Sequence, residues 1–216
     1  MARPQTISNE QIIETARECY LEHGAAVSTD VIAERLGVSA QALLKRFGTK
    51  TDLLIAAMRP PARAPWVPVA EAGPDDRPVD KQLAGLLEQI AVYFDDLARR
   101  MAVLRWSQID LAQVISGYSE PPPLVSIRTL AGWLERCSAR GLLQTMDYQA
   151  TSMMLLSALH GPTMLTDILG QHPTGHSRRQ YVRLLVRNFL QGLAVTSPSV
   201  SSHPISRSEK HRVSGR

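Results

Sequence analysis

Aromatic side chains are scarce in this sequence, 5% of 216 residues, and cysteine is limited to two positions. Cys19 and Cys137 lie far apart inside helical patterns, so a disulfide-stapled scaffold is excluded and free thiols in a reducing compartment are expected. No apolar run reaches the roughly 20 residues that a membrane span needs. The opening Met-Ala-Arg-Pro-Gln-Thr has no apolar core of an export signal, and a cytoplasmic location is expected. Gly-rich phosphate loops, Cys-x-x-Cys pairs and nucleophile elbows are also missing, which removes the usual sequence grounds for an enzyme. His172 and His176 sit in a Pro- and Gly-containing segment that fits no helical ligand face, and no matched carboxylate pair accompanies them. Neither a metal nor a cofactor is expected.

What the chain has is apolar residues at helical spacing. With 44% hydrophobic residues it can bury a sizeable core, in one large or two small domains, and the periodicity favours two. Ser8 and Gln11 have the spacing of a capping box, flanked by the Ile7 and Ile12 of a hydrophobic staple, so a helix starts here. Gly24 stops it. A second helix opens at Ser28 or Thr29 and ends at Gly37, where a left-handed turn suits glycine. Ser39 caps a third helix, Ala40 to Phe47. Ile32, Leu36 and Leu43 close a small core, and Gln41, Lys45 and Arg46 are left facing outward. Thr49 and Asp52 form a weaker capping pair for a fourth helix that Pro60 and Pro61 end.

This is helix-turn-helix grammar, and it suggests a DNA reader. An ordinary helical hairpin whose Lys45 and Arg46 are merely solvated is the competing reading. The net charge of +4 does not decide between them, because residues 1–59 carry balanced charge and most of the excess belongs to the tail after Val195. Within the reader, however, cations cluster from Lys45 onward and anions lie mainly on the preceding helices, leaving one face suited to phosphates.

Beyond the reader, residues 60–78 read as a Pro-rich connection with little intrinsic structure. A helical stripe from Val79 to Leu97 follows. Another is expected to begin past Arg99-Arg100, carrying Met101, Leu104, Trp106, Ile109, Leu111 and Val114. A helix after Pro121-Pro122-Pro123 stops around Gly141. From Tyr148 to Leu169 apolar residues occur all round the helix, which must therefore be covered on every side, and Gly161-Pro162 should kink it. The last helix is expected from Arg178 to Val195. Residues 196–216 are Ser-, Pro- and Lys/Arg-rich and read as a disordered basic tail.

Ser28, Ile32, Ala33, Gly37, Val38, Ser39, Leu43, Phe47, Lys50, Leu53 and Leu54 stand at the positions of a known pattern, and over residues 8–58 the chain resembles the amino-terminal domain of the TetR family of transcriptional repressors. Leu44 departs from the family's usual phosphate-contacting Tyr and Arg46 from its common His, which would redistribute the phosphate grip. The resemblance implies an all-α fold: an amino-terminal helix-turn-helix three-helix domain in residues 1–59 and a carboxy-terminal helical effector-binding and dimerisation domain in residues 79–195. It further implies a homodimer through residues 148–195 and an effector pocket among the middle helices. The chain then reads as a ligand-responsive regulator, expected to be a repressor, on a pseudo-palindromic double-stranded DNA operator. Gln41, Lys45 and Ala40 would meet base edges. Thr29, Arg46, Thr49 and Lys50 would hold phosphates, Lys50 with help from the amino terminus of the fourth helix, and Arg3 would enter a minor groove. Phe94, Met101, Trp106, Trp133, His160 and Met164 are the expected lining for a small, mostly apolar effector. A DNA-binding adaptor or architectural protein without effector is the alternative, and a small helical enzyme is a third.

Overall fold

The computed structural model describes residues 7–192. Within them the chain forms ten helices: α1 (Asn9–His23), α2 (Thr29–Leu36), α3 (Ala40–Phe47), α4 (Lys50–Met58), α5 (Val67–Glu71), α6 (Val79–Trp106), α7 (Leu111–Ile115), α8 (Pro122–Ala139), α9 (Tyr148–Leu169) and α10 (Arg178–Gln191). The proposed arm with Arg3, the residues after Gly192 and the basic tail lie outside the described residues.

The first four helices begin and end where local chemistry places them. Ser8 and Gln11 form the complete capping box. Ser28, rather than Thr29, caps α2, and Ser39 accepts from the Ala42 N–H at 3.2 Å to cap α3. Gly37 adopts a left-handed φ of 67°, turning the chain between these two helices. Thr49 and Asp52 also form a full box at the start of α4. Inside this frame Ile12, Ala16, Tyr20, Ile32, Leu43, Leu53 and Met58 are buried together.

The expected break at Arg99-Arg100 does not occur. Helix α6 runs unbroken for 28 residues, because Arg100 is buried with its charge compensated one turn back: its Nε donates to the Asp96 carboxylate at 2.7 Å. The helix ends instead at Ser107, followed by Gln108 with φ 58°, a left-handed conformation in a non-glycine residue. Met101 and Leu104 are thus the last turns of α6, and they pack with Val114 of α7 into the core of the first four helices. The other end of the same helix, including Leu83, Leu87 and Ile90, lies in a second core with α8, α9 and α10.

The connection 60–78 is also more ordered than its prolines suggest. Trp66, Val67 and Ala70 are buried in the second core, and α5 packs on α8, so apolar side chains dock a segment that local propensity alone would leave open. The last helix runs to Gln191, where Gly192 at φ 69° caps it; Val195, its expected end, lies outside the described residues.

Helix α9 continues through Pro162. Proline has no N–H to give the carbonyl one turn earlier, that of Ala158. The Tyr181 hydroxyl of α10 supplies the missing donor to this carbonyl, at 2.8 Å. The expected all-round coverage of α9 is not met by the chain itself: Met153, Met154, Met164, Leu165 and Ile168 are exposed, Ile168 by 73%.

Candidate nucleic-acid interface and effector region

Helix α3 is short, capped at its start by Ser39 and closed by Gly48, and held through Leu43, which is 1% exposed. Burying that side makes Gln41 and Lys45, four residues apart, share the exposed side. Lys45 takes part in no ion pair among the described residues, whereas the acids of α1 are partly neutralised locally: Glu22 receives Arg35 at 2.8 Å and Glu14 receives Arg17. The Arg35 guanidinium holds the Glu22 carboxyl below its usual range. Ala40 is half-buried against the reader core, which narrows what it can touch.

The four expected phosphate holders are not equally free. Thr29 is half-buried in the first turn of α2. Arg46 is exposed and donates through Nη1 to the Ile7 carbonyl, tying the end of α3 to the residues just before α1. Lys50 Nζ donates to the Ala26 carbonyl at 3.0 Å, so it anchors the loop between α1 and α2. Thr49 is the most committed. Both its N–H and its hydroxyl donate to Asp52 Oδ2, at 2.9 and 2.7 Å, and these bonds hold the Asp52 carboxyl below its ordinary value. The aspartate thus occupies the helix terminus where a phosphate was expected. Nothing in the spacing of Lys50 and Ala26 signals their bond, since it depends on how two loops meet.

The regular match to known proteins falls on this module. Residues 12–57 match the family model described as bacterial regulatory proteins, tetR family. This amino-terminal module is therefore similar to that of the TetR family. Over 90 residues it is 30% identical to the HTH-type transcriptional repressor BdcR of Escherichia coli K12, an alignment spanning 41% of this chain and 46% of that repressor. The chain thus matches about half the length of this curated relative. TetR-type folds also superpose along most of the chain. A TetR transcription regulator from Haloarcula marismortui gives a TM-score of 0.64 at 20% identity, covering 84% of this chain and 95% of that one. FadR from Bacillus subtilis, solved in complex with stearoyl-CoA, gives 0.62 at 18% identity, covering 87% and 100%.

The six residues expected to line an effector pocket are not gathered into one. Phe94 of α6 and His160 of α9 do meet, with ring centroids 5.2 Å apart. Trp133 is buried in the second core at 3% exposure, while Met101 packs against the reader core instead. Trp106 is 85% exposed at the end of α6, and Met164 is 52% exposed on the uncovered face of α9. The continuity of α6 explains the scatter of the α6 residues: a 28-residue helix is about 42 Å long, which separates Phe94 from Trp106. Two clefts lie elsewhere, with charged side chains in their lining. One of about 480 Å³ lies between α8 and the start of α9, beside Arg128, Glu135 and Asp147. The other, about 380 Å³, follows His176, Gln180, Arg183 and Arg187 along α10. His172 turns its Nδ1 to Thr174, at 2.9 Å, and among the described residues no three His, Cys, Asp or Glu side chains are grouped to hold a metal. No helix among them is long and apolar enough to cross a membrane.

Both thiols are buried and unbridged, and burial pushes Cys137 up to about 11.

Proposed function

We propose that this protein is a ligand-responsive transcriptional regulator, a repressor, that binds a pseudo-palindromic operator as a homodimer and is released by a small, mostly apolar effector. The observation that carries the DNA-binding part is the exposed Gln41/Lys45 face of α3 on a capped, well-packed module that lies within the family match. Gln41 has the geometry to pair with adenine and Lys45 to reach guanine acceptors. Arg46 and Lys50 are the phosphate contacts of choice, Lys50 after exchanging the Ala26 carbonyl for a phosphate oxygen.

The dimer rests on α9. Its exposed methionines, leucine and isoleucine need cover, and a second copy supplies it with two-fold symmetry while setting two recognition helices about 34 Å apart. Helix α10 presents Arg183 and Arg187 outward, so it borders this contact rather than forming its centre. The stearoyl-CoA bound to FadR supports an effector of mostly apolar character, with Phe94 and His160 as the expected contacts. The alternative without an effector, a DNA-binding adaptor, is favoured by one observation: the expected lining residues enclose no common cavity.

Selection of duplexes from a random pool by the purified protein tests the reading. A recovered motif with two related half-sites is expected. Equal affinity for selected and scrambled duplexes would overturn it.

A further inference from the structure

At the far end of α4 the chain builds a second junction between the reader and the rest of the molecule. The Arg59 guanidinium lies over the Tyr118 ring, 5.8 Å from its centroid, and its Nη2 reaches the Gln113 carbonyl at 3.4 Å. The Tyr118 hydroxyl donates to the Pro60 carbonyl, and Arg100 of α6 donates to the Arg59 carbonyl at 3.4 Å. Gly117 is what makes room: a Cβ there would overlap the guanidinium. Its φ is not in the left-handed region, so glycine serves close approach here rather than backbone conformation.

We propose that Arg59, Gly117 and Tyr118 form a releasable clasp that fixes the angle of the reader on α6, and thereby the half-site spacing the dimer accepts. The inference rests on the DNA-binding reading above. Apolar contact between Leu104, Val114 and the reader core supplies adhesion, but adhesion of this kind is non-directional. Directed polar contacts set an angle. The clasp is also poorly satisfied, since Arg59 Nε is buried without a partner. A buried unmet donor offsets part of what the other contacts contribute, and on opening that donor regains water. Closed and open forms then differ by little, as a switchable element requires.

Arg59, Gly117 and Tyr118 are positioning residues, so the test must read spacing and not affinity alone. Full-length wild type, Gly117→Ala and Tyr118→Phe are titrated by fluorescence anisotropy against the selected operator and against versions with one or two base pairs added or removed at its centre. Gly117→Ala displaces only the flexible end of Arg59, and Tyr118→Phe keeps the ring while deleting the hydroxyl, so both are expected to remain folded at the assay temperature, which a melting curve checks. The wild type should bind misspaced operators at least about tenfold more weakly. The variants should reduce this penalty to about threefold or less while keeping wild-type base preferences within each half-site. A purely structural role would weaken binding to every operator alike. Variants that keep the full wild-type penalty overturn the clasp and leave DNA binding standing, as does a wild type indifferent to spacing; a wild type that discriminates no sequence overturns both.

Discussion

Leu104→Ala should loosen the reader although it lies 46 residues beyond Met58, the end of α4. Leu104 is 0% exposed and sits among the side chains of α1 and α4 in the reader core. Truncating a fully buried leucine costs about 2–5 kcal/mol, the transfer term plus the cavity left behind. Leu83, also 0% exposed and on the same helix, sits in the other core and is the matched control. Hydrogen exchange read by mass spectrometry separates them, because each amide reports the opening of its own unit. Leu104→Ala should lower protection in α1 and α4 by roughly thirtyfold or more, the factor that corresponds to about 2 kcal/mol, with a smaller change in α8 to α10. Leu83→Ala should do the reverse. Equal loosening of both regions by both substitutions would refute the assignment of the two ends of α6 to separately opening cores.

Lys45→Ala should relax discrimination at one base position, at a cost of about 1–3 kcal/mol, whereas Lys50→Ala should weaken binding to all sequences and reduce its salt dependence; titrations at two salt concentrations distinguish them. Tyr181→Phe removes the donor that the Ala158 carbonyl receives opposite Pro162, and a loss of about 1–3 kcal/mol in denaturant unfolding is expected. The Asp52 carboxyl is held below its ordinary value of 3.8 by Thr49, so its contribution is fully present above that pH and is lost as pH falls through the lowered folded value. Wild type should therefore melt higher than Asp52→Asn near neutrality, and the two should converge in acid. Cys137, at about 11, should resist alkylation at pH 8 in the native protein and react on unfolding, which a mass-spectrometric time course reads directly.

The helix ends of the reader were legible because the signals are local. Ser8 with Gln11, Ser39 with its helix, and Gly37 act within four residues, and each stands where the sequence indicated. The continuity of α6 was not legible. Two consecutive arginines look like a solvated boundary, and only the Asp96 partner and the packing around Arg100 turn one of them inward. Trp66 in a proline-rich stretch has the same character: its burial depends on α8, which is distant in sequence. The site divides similarly. Gln41 and Lys45 follow from helical spacing, but the bond of Lys50 to Ala26 arises from how elements meet, and the type of an effector residue does not tell which face of its helix it occupies.

The sharing of α6 between two cores has a consequence for recombination. A reader exchanged between relatives at the proline-rich segment would arrive without Leu104 and Val114, and its core would be completed by whatever side chains the recipient holds there. Under the proposed DNA-binding reading, the heritable unit of recognition is therefore discontinuous: the first four helices together with the end of α6 and α7. A chimera that respects this boundary carries both pieces, with Arg59 and Tyr118 travelling as a matched pair, and only such a chimera transfers operator preference without also transferring instability.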